Sequence, residues 1–218
     1  MLEYLCMRMR KKAYREEILA NSHLLVNDPQ KQTGRWKELL DCQELHVELG
    51  SGKGDYWQKM AQLHPGSGWV AIERDDNIAS IALRKVSALE LTNARYLIGD
   101  AAQLELWFQK GEIDVLHLNF VDPWPKKSHT KRRLTCPAFL SAYKKLLAKN
   151  GRIVMKTDSS QLMEYSRETL ASAGFSVIQS SDDYRADDSE TDAITEYERR
   201  FLMAAVPIYR TVWQVESV

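Results

Sequence analysis

Little in this 218-residue sequence is equipped to bind a metal or to form covalent cross-links. Its three cysteines, Cys6, Cys42 and Cys136, lie far apart, and none belongs to a Cys-x-x-Cys pair. Neither a zinc site nor a disulfide framework is indicated, and a reducing cytoplasm is the expected location. His23, His46, His64, His117 and His129 show no metal-ligand spacing, and no Ser/His/Asp constellation stands out, so no metal is expected. No apolar run approaches the roughly 18 residues of a membrane span, so no membrane partner is expected. The N-terminus has no apolar core segment and no cleavage site, which argues against a signal peptide. Internal repeats and low-complexity tracts are absent as well.

Net charge is also missing: 30 basic residues balance 30 acidic ones. A nucleic-acid protein is often basic, so the average argues weakly against that class. The distribution argues the other way. Arg8, Arg10, Lys11, Lys12 and Arg15 precede the first acid of that region, Glu16. Lys126, Lys127, Lys131, Arg132 and Arg133, with His129 among them, form a second basic run without an acid. Asp182, Asp183, Asp187, Asp188, Glu190 and Asp192 form an acidic stretch, simplest as a mobile solvated loop that keeps RNA off its surface. A polyanion feels these local potentials, not the sum.

What is present is an ordinary globular composition, 44% hydrophobic and 28% charged, long enough for one buried α/β domain. Strand-like runs at 45–49, 69–73, 94–98, 113–120 and 152–156 alternate with helix-like segments at 56–63, 78–91, 104–108, 137–147 and 162–173. Asn150-Gly151 reads as a stop before the fifth strand. Two late strands, at 175–179 and 199–206, follow without an obvious helix between them and are expected to pair antiparallel at one edge. Such alternation predicts a mainly parallel seven-stranded sheet with helices on both faces. Residues 1–44 read as a helical and irregular arm of the same unit, and 45–218 as the main domain.

The first strand runs into Glu48-Leu-Gly50-Ser-Gly52-Lys-Gly54. Glycines there allow a sharp turn and a close ligand approach, and the next helix offers free N–H groups. Glu73, at the end of the second strand and 23 residues beyond Gly50, suits a ribose diol. A dinucleotide fingerprint would place the third glycine one residue later, and Glu48 would repel a pyrophosphate. A P-loop fails because no Gly-Lys-Ser/Thr follows at its spacing. S-adenosylmethionine carries a sulfonium and an ammonium, which an acid beside the loop favours. It is therefore the expected cofactor, with contacts from Glu48, Gly50, Gly52 and Glu73. Asp100 follows the third strand and can meet the adenine, cap the next helix, or do both.

The fourth strand ends in Asp122-Pro-Trp-Pro-Lys-Lys127. Ligands in open α/β sheets bind outside the carboxyl ends of central strands, where Asp122 should stand. Pro123 and Pro125 stiffen the exit, and Trp124 offers a flat face for a base. This run, with its Lys131-Arg-Arg133 tail, resembles the bacterial tRNA (guanine-N7-)-methyltransferase family. So do the glycine loop, Thr157-Asp158 and Thr195-Glu-Tyr-Glu198. The resemblance covers nearly everything from Met7 to Trp213. It implies a class I methyltransferase (Rossmann-like) fold and methylation of the variable-loop guanine at conventional tRNA position 46.

By the same resemblance, Glu48, Glu73, Asp100 and Asp122 contact the cofactor, and Asp122 is also the catalytic residue. Lys126, Asp158, Thr195, Glu196, Tyr197 and Glu198 contact the substrate. Ser128, His129, Thr130, Lys131, Arg132 and Arg133 contact RNA. Read from the residues alone, Thr195 to Glu198 would simply start an edge strand. Three departures stand out: residues 1–6 have no counterpart, which makes Met7 a candidate start; Ser128 stands where the family usually has Arg; and Ser159 stands where Asn is frequent. The expected partner is tRNA, with the protein a monomer or homodimer. Two other classes compete: a nicotinamide-dependent oxidoreductase, disfavoured by the glycine spacing, and a non-catalytic RNA-binding protein on this fold, disfavoured by the intact acids.

Overall fold

A computed structural model describes residues 12–186 and 192–215. Arg8, Arg10, Lys11, the extra residues 1–6, Asp187, Asp188 and Glu190 lie outside the described residues. Seven strands form one sheet: β1 Glu44–Leu49, β2 Ser67–Glu73, β3 Ala94–Ile98, β4 Ile113–Asn119, β5 Leu147–Thr157, β6 Phe175–Ser181 and β7 Tyr209–Val215. Their spatial order is β3-β2-β1-β4-β5-β7-β6. β1 pairs in parallel with β2 and β4, as do β2 with β3 and β4 with β5, while β7 runs antiparallel between β5 and β6. The seven-stranded, mainly parallel sheet thus matches expectation, and its reversed strand lies one place in from the edge.

Eight α-helices connect and cover the sheet among the described residues: α1 Arg15–Asn21, α2 Trp36–Leu39, α3 Asp55–Leu63, α4 Asp76–Lys85, α5 Leu104–Trp107, α6 Pro137–Leu146, α7 Ser160–Ser172 and α8 Glu196–Met203. The central strands are buried on both faces, which is why they read as continuous apolar runs. One face packs Leu45, Val47, Leu49, Leu116, Leu118 and Met155 against Trp36, Trp107, Leu140 and Leu162. The other packs Trp69, Ala71 and Tyr96 beneath Tyr56, Trp57 and Met60 of α3.

The segment before β1 is built into both layers. Trp36 is fully buried and its Nε1 donates to Trp107 O at 2.7 Å. Farther back, Leu25 bridges Tyr96 in parallel, and α1 packs on α4 through an Arg15–Asp76 ion pair. These contacts attach the described part of the arm to the outer edge of β3.

Three sequence expectations need correction. Residues 199–206 do not form a strand. Thr195 caps α8: its Oγ1 accepts from Glu198 N at 2.9 Å, while Glu198 Oε2 accepts from Thr195 N at 3.3 Å. That reciprocal box nucleates a helix where alternation had read a strand. The last strand comes later, at β7. The Asn150-Gly151 pair does not precede the fifth strand but lies inside it. Asn150 has φ +64°, and the register against β4 shifts between Ile113 and Val115, so the pair is absorbed as a bulge. The helix expected at 78–91 is shorter, ending at Lys85.

Candidate functional site

Gly50, Gly52 and Gly54 all have left-handed backbone, with φ of +67°, +55° and +71°. Glycine enters this region without a Cβ penalty. The loop hangs from the neighbouring strand, because Gly50 N and Ser51 N both donate to Ile72 O at 2.9 and 3.1 Å. From beneath, the Tyr96 hydroxyl donates to Gly52 O at 2.9 Å and accepts from Ser51 Oγ at 3.0 Å. A Cβ built on Gly50 would meet only Val121 Cγ1, at 3.8 Å, and one on Gly52 only Gly50 O, at 4.0 Å. The loop is therefore open above and lies directly beside the residue preceding Asp122.

The acids around this loop differ in environment. Glu48 is buried in β1 and accepts from Asn119 Nδ2 of β4 at 2.9 Å. Burial pushes its carboxyl up to about 7, against the opposing effects of the Asn119 hydrogen bond, the Lys156 charge and the nearby Trp57 backbone N–H of α3. Its second oxygen, Oε2, is buried without a partner, and so is Asn119 Oδ1. Glu73 accepts from Gly52 N at 3.0 Å and Asp75 N at 2.9 Å, and burial raises its carboxyl despite those bonds. Asp100 accepts from Ala102 N at 2.9 Å and caps a 3-10 turn, with Arg74 nearby at 3.9 Å. The capping role is thus present.

Asp122 is exposed, three residues past the central strand. The backbone around it is unusual: Phe120 and Trp124 both have positive φ, +51° and +42°. A framework holds this turn. Phe120 N donates to Lys156 O at 2.8 Å, and the Arg133 guanidinium donates to Pro123 O and Trp124 O at 3.0 and 3.1 Å. Arg133 is buried and also stacks over Tyr165. Two of its N–H donors are thus used on the turn, a bracing role that the sequence did not suggest beside the expected RNA contact. Arg132 lies over the Trp124 ring at 4.9 Å, and His129 meets the same ring edge-on. Lys126 precedes the 3-10 segment Lys127–Arg132, which presents Ser128, Lys131 and Arg132 to solvent; His129 and Thr130 are half-buried.

Glu198, expected on the substrate side, is placed inside the protein. Its side chain is fully buried, facing Lys156 at 3.1 Å and Arg185 at 2.6 Å. Asp192 completes the cluster, 2.9 Å from Lys156 and 2.6 Å from Arg185. The acidic stretch is accordingly fastened at both ends, with Asp182 on Arg167 and Asp192 in this cluster. Above the cluster, Glu196 reaches back to the glycine loop, with Lys53 Nζ at 3.0 and 2.8 Å from its two oxygens. Lys53 holds the Glu196 carboxyl below its ordinary range. Tyr197 packs against Phe120 at 5.8 Å. Thus α8, the glycine loop and the β4 exit converge. Asp158 follows β5, and Ser159 caps α7 by accepting from Leu162 N, which Asn would otherwise do.

Sequence reasoning passed over Asn119, Lys53, Lys156, Tyr96 and Arg185. Only two signals were available for them: a polar residue closing an apolar strand run at Asn119, and the Thr-x-x-Glu box that makes α8 a helix.

A family model described as "Putative methyltransferase", that of the tRNA guanine-N7 methyltransferases, matches residues 42–211. The chain belongs to this family. The match spans every strand but the last residues of β7, and it includes the glycine loop, the Asp122 turn and α8. Solved structures of low sequence identity share the fold. The 16S rRNA methyltransferase KamB superposes with a TM-score of 0.63 at 16% identity, covering 84% of this chain and 94% of that one. A 30S ribosomal methyltransferase from an uncultured bacterium gives 0.58 at 17%, covering 84% and 93%. An rRNA methylase from Streptococcus thermophilus gives 0.54 at 13%, covering 84% and 92%. The fold is that of class I methyltransferases, and the family and fold imply S-adenosylmethionine as methyl donor. The residues present fit that donor: an open glycine loop, and buried acceptors that lack a donor of their own. Among the described residues no cluster could hold a metal, and no helix is long and apolar enough to cross a membrane.

Proposed function

We propose that this protein methylates N7 of the variable-loop guanine of tRNA. The observation that carries the reading is a juxtaposition: the Asp122-Pro-Trp-Pro turn leaves the central strand directly beside the open glycine loop, with the exposed basic segment following it. The cofactor supplies an electrophilic methyl group on a positively charged sulfur. Glu48, Gly50, Gly52, Glu73 and Asp100 hold it, by charge and by backbone shape. N7 of guanine carries an in-plane lone pair and no proton, so its alkylation needs alignment more than a general base. Asp122 accepts from guanine N–H groups and offsets the positive charge arriving on the purine. Lys126, Asp158, Thr195, Glu196 and Tyr197 line the substrate side. Glu198 keeps Thr195 and its neighbours in place from below. Ser128, Lys131 and Arg132 meet RNA backbone, with His129 and Thr130 between them, because phosphate contacts position a substrate over its site.

The test is methylation of an unmodified tRNA transcript, and of 16S rRNA in parallel, with mass mapping of the modified base. A single N7-methylguanine in the variable loop supports the proposal. Modification of rRNA alone, or of another atom, overturns it.

A further inference from the structure

Glu48 and Asn119 are both nine-tenths or more buried and lie at the carboxyl ends of adjacent strands. Glu48 is paired in register with His117, so Asn119 stands on the same face, one pleat closer to the ligand edge. One bond joins them, Asn119 Nδ2 donating to Glu48 Oε1 at 2.9 Å. That leaves Glu48 Oε2 and Asn119 Oδ1 as two buried acceptors that receive no hydrogen bond of normal geometry, although the Trp57 backbone N–H lies close enough to Glu48 to favour its ionised form. Buried polar atoms are almost always satisfied, and two adjacent exceptions call for an explanation. Both flank the segments that make the site: Glu48 is two residues before Gly50, and Asn119 three before Asp122.

We infer that Asn119 is a further cofactor-binding residue, whose Oδ1 joins Glu48 Oε2 to receive the ammonium group of the methionine portion of S-adenosylmethionine. An ammonium carries several N–H donors and can serve both oxygens at once, and its charge suits the carboxylate. Asn119 contributes in two ways: its Nδ2 orients the Glu48 carboxylate, and its Oδ1 supplies the second acceptor. The adenosine portion is left to Glu73 and Asp100, on the other side of the glycine loop. This inference rests on the cofactor reading above, and the two can fail separately.

The test compares two ligands by titration calorimetry: S-adenosylhomocysteine, which keeps the amino acid portion, and 5′-methylthioadenosine, which lacks it. Asn119→Ala should weaken S-adenosylhomocysteine by at least about tenfold, the cost of losing one hydrogen bond to a charged group. Methylthioadenosine affinity should stay within about twofold. Asn119→Asp keeps the shape but loses the Nδ2 donor and sets a second carboxylate against Glu48; it serves if the alanine variant folds poorly, and should change S-adenosylhomocysteine affinity while leaving methylthioadenosine within about twofold. Equal weakening of both ligands in Asn119→Ala, or loss of both in Asn119→Asp, would assign the residue to the fold alone and overturn the inference. Absence of binding by the unaltered protein to either ligand would instead defeat the cofactor reading itself.

Discussion

Cofactor binding should expel a proton from Glu48. In the free protein, burial pushes this carboxyl from an ordinary value of 4.5 up to about 7. A cationic ligand beside it favours the ionised form and returns the value toward 4.5. At pH 6 the free carboxyl is then roughly 90% protonated and the bound one nearly all ionised, so about 0.9 proton leaves per ligand. The affinity follows the same linkage. Between pH 7 and pH 5 the fraction competent to bind falls from about one half to about one hundredth, a loss of roughly 50-fold. An α-amino group titrates near 8, so the ligand stays cationic throughout this window. Calorimetry with S-adenosylhomocysteine at pH 6, in buffers of different ionisation enthalpy, reads the proton directly. The apparent heat should scale with the buffer's enthalpy, and Glu48→Gln should abolish that scaling while weakening the complex. Identical heats in all buffers, with flat affinity from pH 7 to 5, would refute the reasoning.

Other expectations follow from particular contacts. Asp122→Asn should slow single-turnover methylation by about 10²-fold or more while leaving cofactor affinity nearly intact, as for other preorganised groups facing developing charge; a wild-type rate would remove Asp122 from the mechanism. Changing Lys131 and Arg132 to Ala should flatten the salt dependence of tRNA binding by up to about two units of slope. Arg133→Ala should leave that slope alone and lower the melting temperature, since its guanidinium braces Pro123 and Trp124; the reverse pattern would return Arg133 to the RNA interface. Burial pushes His46 down to about 4 and His117 well below its ordinary range. Both stay neutral when folded but protonate when unfolded, so stability should fall as pH drops through 6.5 toward 4. Glu48 opposes them over part of that window, because a carboxyl raised to about 7 stabilises the fold as pH falls toward 4.5. Glu48→Gln should therefore steepen the acid loss seen by denaturant titration, and an unchanged slope would contradict the assignment.

Much of this was legible before any coordinates, and the legible parts share a cause. Parallel strands buried on both faces write themselves as continuous apolar runs, so β1 to β5 could be located within a few residues. The glycine loop and the Asp122 turn depend on backbone shape, which glycine and proline encode locally. By contrast, α8 was misread as a strand, although its Thr195–Glu198 box is also local; a strand–helix rhythm set earlier in the chain outweighed the cap. The burial of Glu198 and Arg133 was hidden for another reason. Each is charged and sits in a motif, and sequence cannot say whether a charge faces solvent or is paired inside. The difference lies in partners distant along the chain: Lys156 is 42 residues from Glu198, and Pro123 and Trp124 accept from Arg133 across a folded-back turn.

That same distinction separates the two layers of the site. The face of the sheet beneath α3 carries a seam of three polar groups: His46, His117 and Tyr56; Glu48 and Asn119; and Lys156, Glu198 and Arg185. Buried polar groups of this kind cost stability unless every member is satisfied. At the Lys156 end they are: Glu198 and Asp192 each reach both cations, and the cluster fixes α8 against the sheet. At the Glu48 end they are not, and it is there that the glycine loop opens. An apolar replacement would pack the first region equally well, since buried ion clusters often gain nothing over hydrophobic ones. No apolar replacement could do so at Glu48 and Asn119 and still leave acceptors for a cationic ligand. On the proposed cofactor reading, the seam ends in unmet hydrogen-bonding capacity beside the glycine loop, and the stability forgone in the free protein would be recovered as binding free energy when the ligand arrives.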